Sequence, residues 1–489
     1  MRFSNFAFEK NVSDQGNAPL TRRKLPIKKD RKDRLEMEYI STRGQSKKLA
    51  FSEAVSEGLA PDGGLYVPAS IPDISGKLAS WEGLTYPEVC FEFLKIFADD
   101  IPEADLKKIV DASYKKFDDP RIAPLTKLDE SHYLLELYHG PTLAFKDFAL
   151  QFVGNLYEYL LSKSGAKINV LGATSGDTGS AAINGLLGKK NVNIFILYPE
   201  GRISPLQERQ MACTGAENVF PIAIRGTFDD AQAIVKGLFG DLDFKAKWNL
   251  SAVNSINLAR ILAQCVYYVY AWLSLPKQKR ESITFVVPTG NFGNVFAGWL
   301  AHKAGLPVAG FRVATNRNDI LCRLFNSGVY ELSGVAPSYA PSMDIQVASN
   351  FERFIYYFTG GDSEKVREIM SAFKRDGKWF FEDFKAGEFS ASRMSDEEIA
   401  ATISEIYKKY GVVIDPHTAC AFKDLPESGT KVVLSTAHAA KFPKLIEDTL
   451  GIHPTAESLE KLLDRKIVKE ISDADAGKIR AYIEAKGIR

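Results

Sequence analysis

The chain has 489 residues, 45% hydrophobic and 25% charged, the composition of a globular protein of about two to four domains. Its 62 basic residues nearly cancel its 61 acidic ones, so the overall charge gives no support to a nucleic-acid partner. The five cysteines (Cys90, Cys213, Cys265, Cys322, Cys420) form no C-x-x-C pair, which argues against a zinc cage and for a reducing, cytoplasmic compartment.

In chain order, the first 36 residues stand apart. TRRKLPIKKDRKDR (21–34) is dense in base, and the segment lacks the apolar stretch of a secretory signal. Glu9, Asp14, Asp30 and Asp33 argue against a transit peptide. We expect a disordered basic tail or an over-called start, with the folded chain beginning near Met37. Residues 37–128 read as an N-terminal domain of short helices and Pro/Gly turns. Within it, SEAVSEGLAPDGGLYVP (52–68) is a helix closed by Gly58.

From Ser131 a β-rich segment, a glycine-containing loop and a helix recur three times. The segments are HYLLELY (132–138), KINVLGA (167–173) and SITFVVP (282–288); the loops are HGPT, TSGDTGS and TGNFGN. The helices are expected to start near Leu143, Thr178 and Asn294. VNIFILYP (192–199), NVFPIAI (218–224) and KVVLSTA (431–437) are further apolar strands. Apolar strands alternating with helices predict an α/β fold with a mostly parallel sheet covered on both faces. The run ILAQCVYYVYAWLSL (261–275) is shorter than the ~20 residues of a membrane span and reads as a buried helix. This catalytic domain is expected over 129–450, with a charge-rich helical cap at about 316–410. Residues 451–489 read as two amphipathic C-terminal helices, N-capped at Thr455 or Ser472.

The chemistry gathers at the loops. Lys146 lies among Phe145, Phe148 and Ala149, just after a His-Gly-Pro turn. An ammonium in such company is desolvated toward neutrality, as an amine that attacks a carbonyl must be. GATSGDTGSAA (172–182) and PTGNFGNVFAG (288–298) each set a glycine-rich turn ahead of a helix, so backbone N–H groups and a positive helix end face a ligand. One such loop alone is as readily a plain strand–helix turn. Neither loop is G-x-x-x-x-G-K-[ST] or G-x-G-x-x-G, so nucleotide hydrolysis and hydride transfer lose ground. A cofactor with its own phosphate and an aldehyde for the lysine fits both features, which describes pyridoxal phosphate. No pair among the six histidines has H-E-x-x-H spacing, and no metal site is expected. His139 and His438 are open between site and structural roles, and His417 reads as structural.

HGPTLAFKDFALQ, GATSGDTGSAA, PTGNFGN and STAHAAKF together resemble the threonine synthase family, whose members are fold-type-II pyridoxal-phosphate enzymes. YISTRG with FSEAVSEGLAPDGGLYVP (39–68) and PSMDIQVASNFERF (341–354) are similar to the longer bacterial and fungal form. The resemblance covers about Met37 to Phe442. It implies two open parallel-sheet lobes with helices on both faces, an N-terminal α/β domain, and a helical insertion and C-terminal helices. It implies conversion of O-phospho-L-homoserine and water to L-threonine and phosphate by a monomer or homodimer without nucleic-acid or membrane partners. By the same resemblance Lys146 binds the cofactor aldehyde, and Gly290, Asn291, Phe292, Gly293 and Asn294 cradle its phosphate. Thr436 faces the pyridine nitrogen. Ser175, Gly176, Asp177 and Thr178 hold the substrate carboxylate. The substrate phosphate needs a cationic site of its own. VNSINLARILAQ (253–264) offers Asn254, Ser255, Asn257 and Arg260, with Arg202, Arg209, Lys303 and Arg312 as competitors. The alternatives are another fold-type-II lyase, such as a threonine dehydratase, and a non-catalytic relative that binds a phosphorylated metabolite.

Overall fold

The computed structural model describes residues 37–489 apart from positions 253, 254 and 383. The expected basic tail and Asn254 lie outside the described residues. In chain order, the strands among the described residues are β1 (Tyr39–Ser41), β2 (Tyr66–Pro68), β3 (Leu125–Lys127), β4 (His132–Glu136), β5 (Ile168–Ala173), β6 (Val192–Pro199), β7 (Val219–Arg225), β8 (Leu250–Ala252), β9 (Ile283–Pro288), β10 (Gly310–Thr315), β11 (Val329–Glu331), β12 (Lys378–Phe380), β13 (Phe389–Arg393), β14 (Thr430–Ser435) and β15 (Glu470–Asp473). Two sheets carry the fold. The first runs β13-β10-β9-β14-β4-β3, parallel except at the β3 edge. The second runs β15-β7-β6-β5-β8 and is parallel throughout. Every residue of β6 and of β14 is buried, as unalternating apolar strands in the middle of covered sheets should be.

The chain passes from the first sheet to the second after β4 and returns before β9. The helices that follow β4, β5 and β9 therefore reach one cleft from both sheets. They are Lys146–Ser164, Asp177–Leu186 and Gly293–Lys303, each starting within three residues of its expected place. The helix Leu258–Ser274, capped by the Asn257 side chain on Ala259 N–H at 3.0 Å, is the buried helix expected from its apolar run. In the N-terminal segment, Phe51–Glu57 ends at Gly58 with φ 69°, the left-handed value a glycine adopts without strain.

Two expectations are corrected. The segment 316–410 is not wholly helical: β11 and β12 pair with each other, and β13 adds a parallel edge strand to the first sheet. The C-terminal segment is not two helices. It has a four-residue helix, Glu457–Glu460, then β15 on the edge of the second sheet, then Ala476–Lys486. The caps sit at Ala456 and Asp475 rather than Thr455 or Ser472. In both places a short, half-polar segment is made a strand by a distant edge, a pairing that local periodicity does not report.

The helices of Lys146 and Asp177 meet at a glycine notch. A Cβ on Gly154 would lie 1.9 Å from Gly185 O, and one on Gly185 would lie 2.3 Å from Leu150 O. Backbone meets backbone, so nothing flexible can yield. Gly154→Ala or Gly185→Ala should destabilise the protein by about 1–3 kcal/mol, read as a lower urea midpoint at unchanged slope.

Candidate active site

The HGPTLAFKD loop is built around Asp147. Gly140 is glycine because a Cβ there would sit 2.4 Å from Asp147 Cβ. Thr142 donates to the Asp147 carboxyl through N–H at 2.8 Å and Oγ1 at 2.6 Å. Burial pushes that carboxyl up to about 6, against the Thr142 hydrogen bonds. Leu143–Phe145 then runs alongside Thr436–His438: Phe145 N–H donates to Thr436 O at 2.9 Å, and His438 N–H donates to Leu143 O at 3.1 Å. The stitch places Lys146 beside Thr436, with the lysine only 8% exposed. The Phe145 ring lies 4.9 Å from Nζ. Phe148, expected beside the amine, instead packs against Tyr86, Phe117 and Tyr267.

Four segments converge on the amine. Lys146 Nζ donates to Asp177 Oδ2 at 3.3 Å and to Ser342 Oγ at 3.4 Å. Ser342 Oγ also donates to Asp177 Oδ2 at 2.8 Å. On the other oxygen, Oδ1, Asp177 takes Gln207 Nε2 at 2.9 Å and Lys441 Nζ at 2.8 Å. Lys441 is 1% exposed and also donates to Thr142 O at 2.7 Å. Burial works against the Asp177 charge, but Lys441 and Lys146 outweigh it and hold the carboxyl well below its usual range. Burial lowers Lys146 below the ordinary amine range, with Asp177 opposing and Lys441 adding to the fall. Behind Ser342, its N–H donates to His417 Nε2 at 3.1 Å, so the ring proton is on Nδ1, toward Asp415 Oδ2 at 2.6 Å.

The second loop has the geometry expected of an anion cradle. Phe292 has φ 62°, an unfavourable conformation for a bulky residue. Its ring is anchored among Phe325, Phe351, Phe354 and Phe389 at centroid distances of 5.4–5.9 Å, so it offers the site its backbone only. Gly290 and Gly293 are hemmed in: a Cβ would come within 3.0 Å of Ile345 Cδ1 and of Asn350 Nδ2, respectively. Asn294 Oδ1 accepts from Tyr267 and Tyr268 at 2.5 and 2.8 Å. Its buried Nδ2 has no partner among the described residues. Asn291 is held from below, its carbonyl accepting from Asn350 N–H at 3.1 Å and its side-chain oxygen from Ser349 at 3.2 Å. An unpartnered buried donor at a helix N-terminus, with no room for side chains, fits a phosphate.

The comparisons agree with this geometry. Residues 38–114 match the family described as Threonine synthase N terminus, residues 118–435 Pyridoxal-phosphate dependent enzyme, and residues 417–483 Threonine synthase, C-terminal. The chain is 45% identical to a threonine synthase of Pseudomonas aeruginosa, over 93% of this chain and 99% of that protein. The chain belongs to the threonine synthase family. It is also 43% identical to the Saccharomyces cerevisiae threonine synthase, over 91% of this chain and 97% of that one. The structure of a PLP-bound threonine synthase from Brucella melitensis superposes with a TM-score of 0.90 at 42% identity, covering 93% and 100% of the two chains. The yeast threonine synthase structure gives 0.87 at 41% identity, covering 92% and 98%. The chain is thus a fold-type-II enzyme, and pyridoxal phosphate is its cofactor.

Not every expected residue turns toward the threonine synthase site. Asn257 caps its helix and donates to Val55 O and Tyr157 OH, each at 3.0 Å, so its amide is spent on structure. Ser255 faces Ser349 Oγ at 3.1 Å, one step behind Asn291. Arg260 is 4% exposed, and its Nε and one Nη have no partner among the described residues. Burial pushes this guanidinium down to about 10. Gly176, with φ 140° and a missing Cβ that would strike Gln207, opens the Asp177 helix; exposed Ser175 and half-buried Thr178 flank it. Of the competing cations, Arg209 donates to Leu462 O and Arg465 O, Lys303 pairs with Glu388, Arg312 pairs with Asp424, and Arg202 is exposed.

His139 and His438 line a separate cavity of about 700 Å³ on the other side of the Thr142 loop, one that does not include Lys146. His139 is clamped between Asp118 at 2.7 Å and Glu136 at 2.9 Å. Lys441, Ser342, Gln207 and Asn350 had no assigned role in the sequence reading. Lys441, Ser342 and Asn350 lie inside the STAHAAKF and PSMDIQVASNFERF blocks that carried the resemblance.

Asp147 supplies a pH signature. Its folded-state value of about 6 lies above the unfolded value near 3.8, so its contribution to stability is full below about pH 4 and is lost as pH rises through about 6. The advantage of wild type over Asp147→Asn should fall by about 2–3 kcal/mol between pH 4 and pH 7 in paired urea titrations.

Proposed function

We infer that the chain is a threonine synthase of amino-acid biosynthesis, taking O-phospho-L-homoserine and water to L-threonine and phosphate. The observation that carries the reading is the surplus of buried positive charge. Lys146 and Lys441 share the Asp177 carboxylate, and buried Arg260, with Nε and one Nη unpartnered among the described residues, is a third cation acting on Lys146. Buried charge without a partner is costly, so the pocket calls for anions. A cofactor phosphate answers at the Gly290–Asn294 amides and the Asn294 side chain. A second phosphate, on the substrate, answers at Arg260, with Ser255 beside the same helix start. The cavity that Arg260 now borders holds only about 10 Å³, too small for a phosphate, so the reading has the guanidinium turn toward Lys146 on binding.

When bound, pyridoxal phosphate supplies the electron sink. Lys146 would supply the amine for its aldehyde and then, its basicity lowered by burial, the base that takes protons from the substrate carbons and returns them. The Ser175–Thr178 loop, at a helix N-terminus, orients the substrate carboxylate, while Gly176 N–H holds the loop by donating to Thr174 Oγ1 at 3.0 Å. The buried Thr436 hydroxyl would serve the ring nitrogen as a neutral partner. Phosphate leaves Cγ and water adds at Cβ.

Two measurements test this. Lys146→Ala should lose threonine formation from phosphohomoserine by about 10³-fold or more, and borohydride reduction of the wild-type holoenzyme should label the peptide containing Lys146. Arg260→Met should raise KM for phosphohomoserine about 10–100-fold, the worth of one charged hydrogen bond. An unchanged KM would return Arg260 to packing.

A further inference from the structure

Lys441 sits where neither the cofactor cradle nor the substrate loop explains it. It lies 1% exposed, past the end of β14, and spends its ammonium on Asp177 Oδ1 at 2.8 Å and Thr142 O at 2.7 Å. Thr142 in turn holds Asp147, the neighbour of Lys146. Lys441 therefore grips both walls of the lysine: the loop that precedes it and the carboxylate that faces it. Asp177 has two oxygens, and the division is clean. Lys441 and Gln207 occupy Oδ1, leaving Oδ2 for Lys146 and Ser342.

We propose that Lys441 is a positioning residue that locks the Asp177 carboxylate against Lys146 and sets how much of the Lys146 amine is free of its proton at neutral pH. The inference rests on Lys146 being the aldehyde-binding amine. The charged groups acting on Lys146 are Asp177 from its helix, Lys441 from beyond β14 and, through space, Arg260 from the Leu258–Ser274 helix; the Ser342 hydroxyl beside it is neutral. The three charges act with opposite signs. Asp177 holds a proton on Lys146, while Lys441 and Arg260 drive it off. With Lys441 present, half of the carboxylate is already engaged by a second ammonium. Without it, the whole carboxylate belongs to Lys146, which then keeps its proton to higher pH.

The test uses the holoenzyme. The visible absorbance of bound cofactor, titrated with pH, reports the proton on the Lys146 nitrogen, and the acidic limb of the kcat profile reports the same nitrogen when it acts as base. Lys441→Met should move both midpoints up by about one pH unit. Asp177→Asn should move them down, and Lys441→Arg should leave them near wild type. Circular dichroism and melting establish that each variant is folded. If Lys441→Met does not fold, the downward shift in Asp177→Asn decides: its absence overturns the proposal. A folded Lys441→Met with unmoved midpoints overturns it also, since a merely structural lysine would change melting and leave the titration in place. A visible band that survives Lys146→Ala sinks the assignment of Lys146 and this inference with it. A band lost in Lys146→Ala but unmoved in Lys441→Met sinks the inference alone.

Discussion

One carboxylate, shared by two buried ammoniums, organises the active cleft. Asp177 stays ionised because Lys441 and Lys146 repay its desolvation. The arrangement is overdetermined by backbone: a helix N-terminus under Asp177, a carbonyl of Thr142 on Lys441, a hydroxyl of Ser342 on Asp177. The pocket is therefore a preformed electrostatic frame, in which the position of charge is set before any ligand arrives.

The frame is held by strain placed elsewhere. Phe292 adopts a left-handed backbone that its ring alone would not choose. Its contacts with Phe351 and Phe354, from a single helix, anchor it. That same helix carries Arg353, fully buried, which donates to Tyr66 O, Asn350 Oδ1 and Ile256 O. Through Arg353 the N-terminal segment, the glycine loop and the start of the Leu258–Ser274 helix share one guanidinium. The block 341–354 is thus the bed on which the Gly290–Asn294 loop rests.

Much of this was legible in the linear chain. Strand, glycine loop and helix announced themselves at 132, 167 and 282, because fully covered parallel strands are continuous apolar runs and their loops must turn tightly. Lys146 was legible from its company of apolar neighbours. The strands β13 and β15 were not, because their partners on β10 and β7 lie 78 and 248 positions away at the paired residues Phe311–Phe389 and Ile222–Glu470. Lys441 was not legible for the same reason. It meets Thr142 across 299 positions, and Ser342 meets Lys146 across 196. A lysine in Ala-Ala-Lys-Phe reads as a solvated tail until the fold brings an acid to it. Asn257 misled in the other direction: a polar residue at a helix start reads alike whether it serves a ligand or a cap.

The crossing of the chain between its two sheets has a mechanical consequence. Asp177 travels with the second sheet, whereas Thr142 and Lys441 travel with the first. The ammonium of Lys441 is thus a rivet through both halves. Any hinge-like gaping of the halves would stretch that rivet before it admitted bulk water, so the cleft's breathing and its acidity are geared to one another.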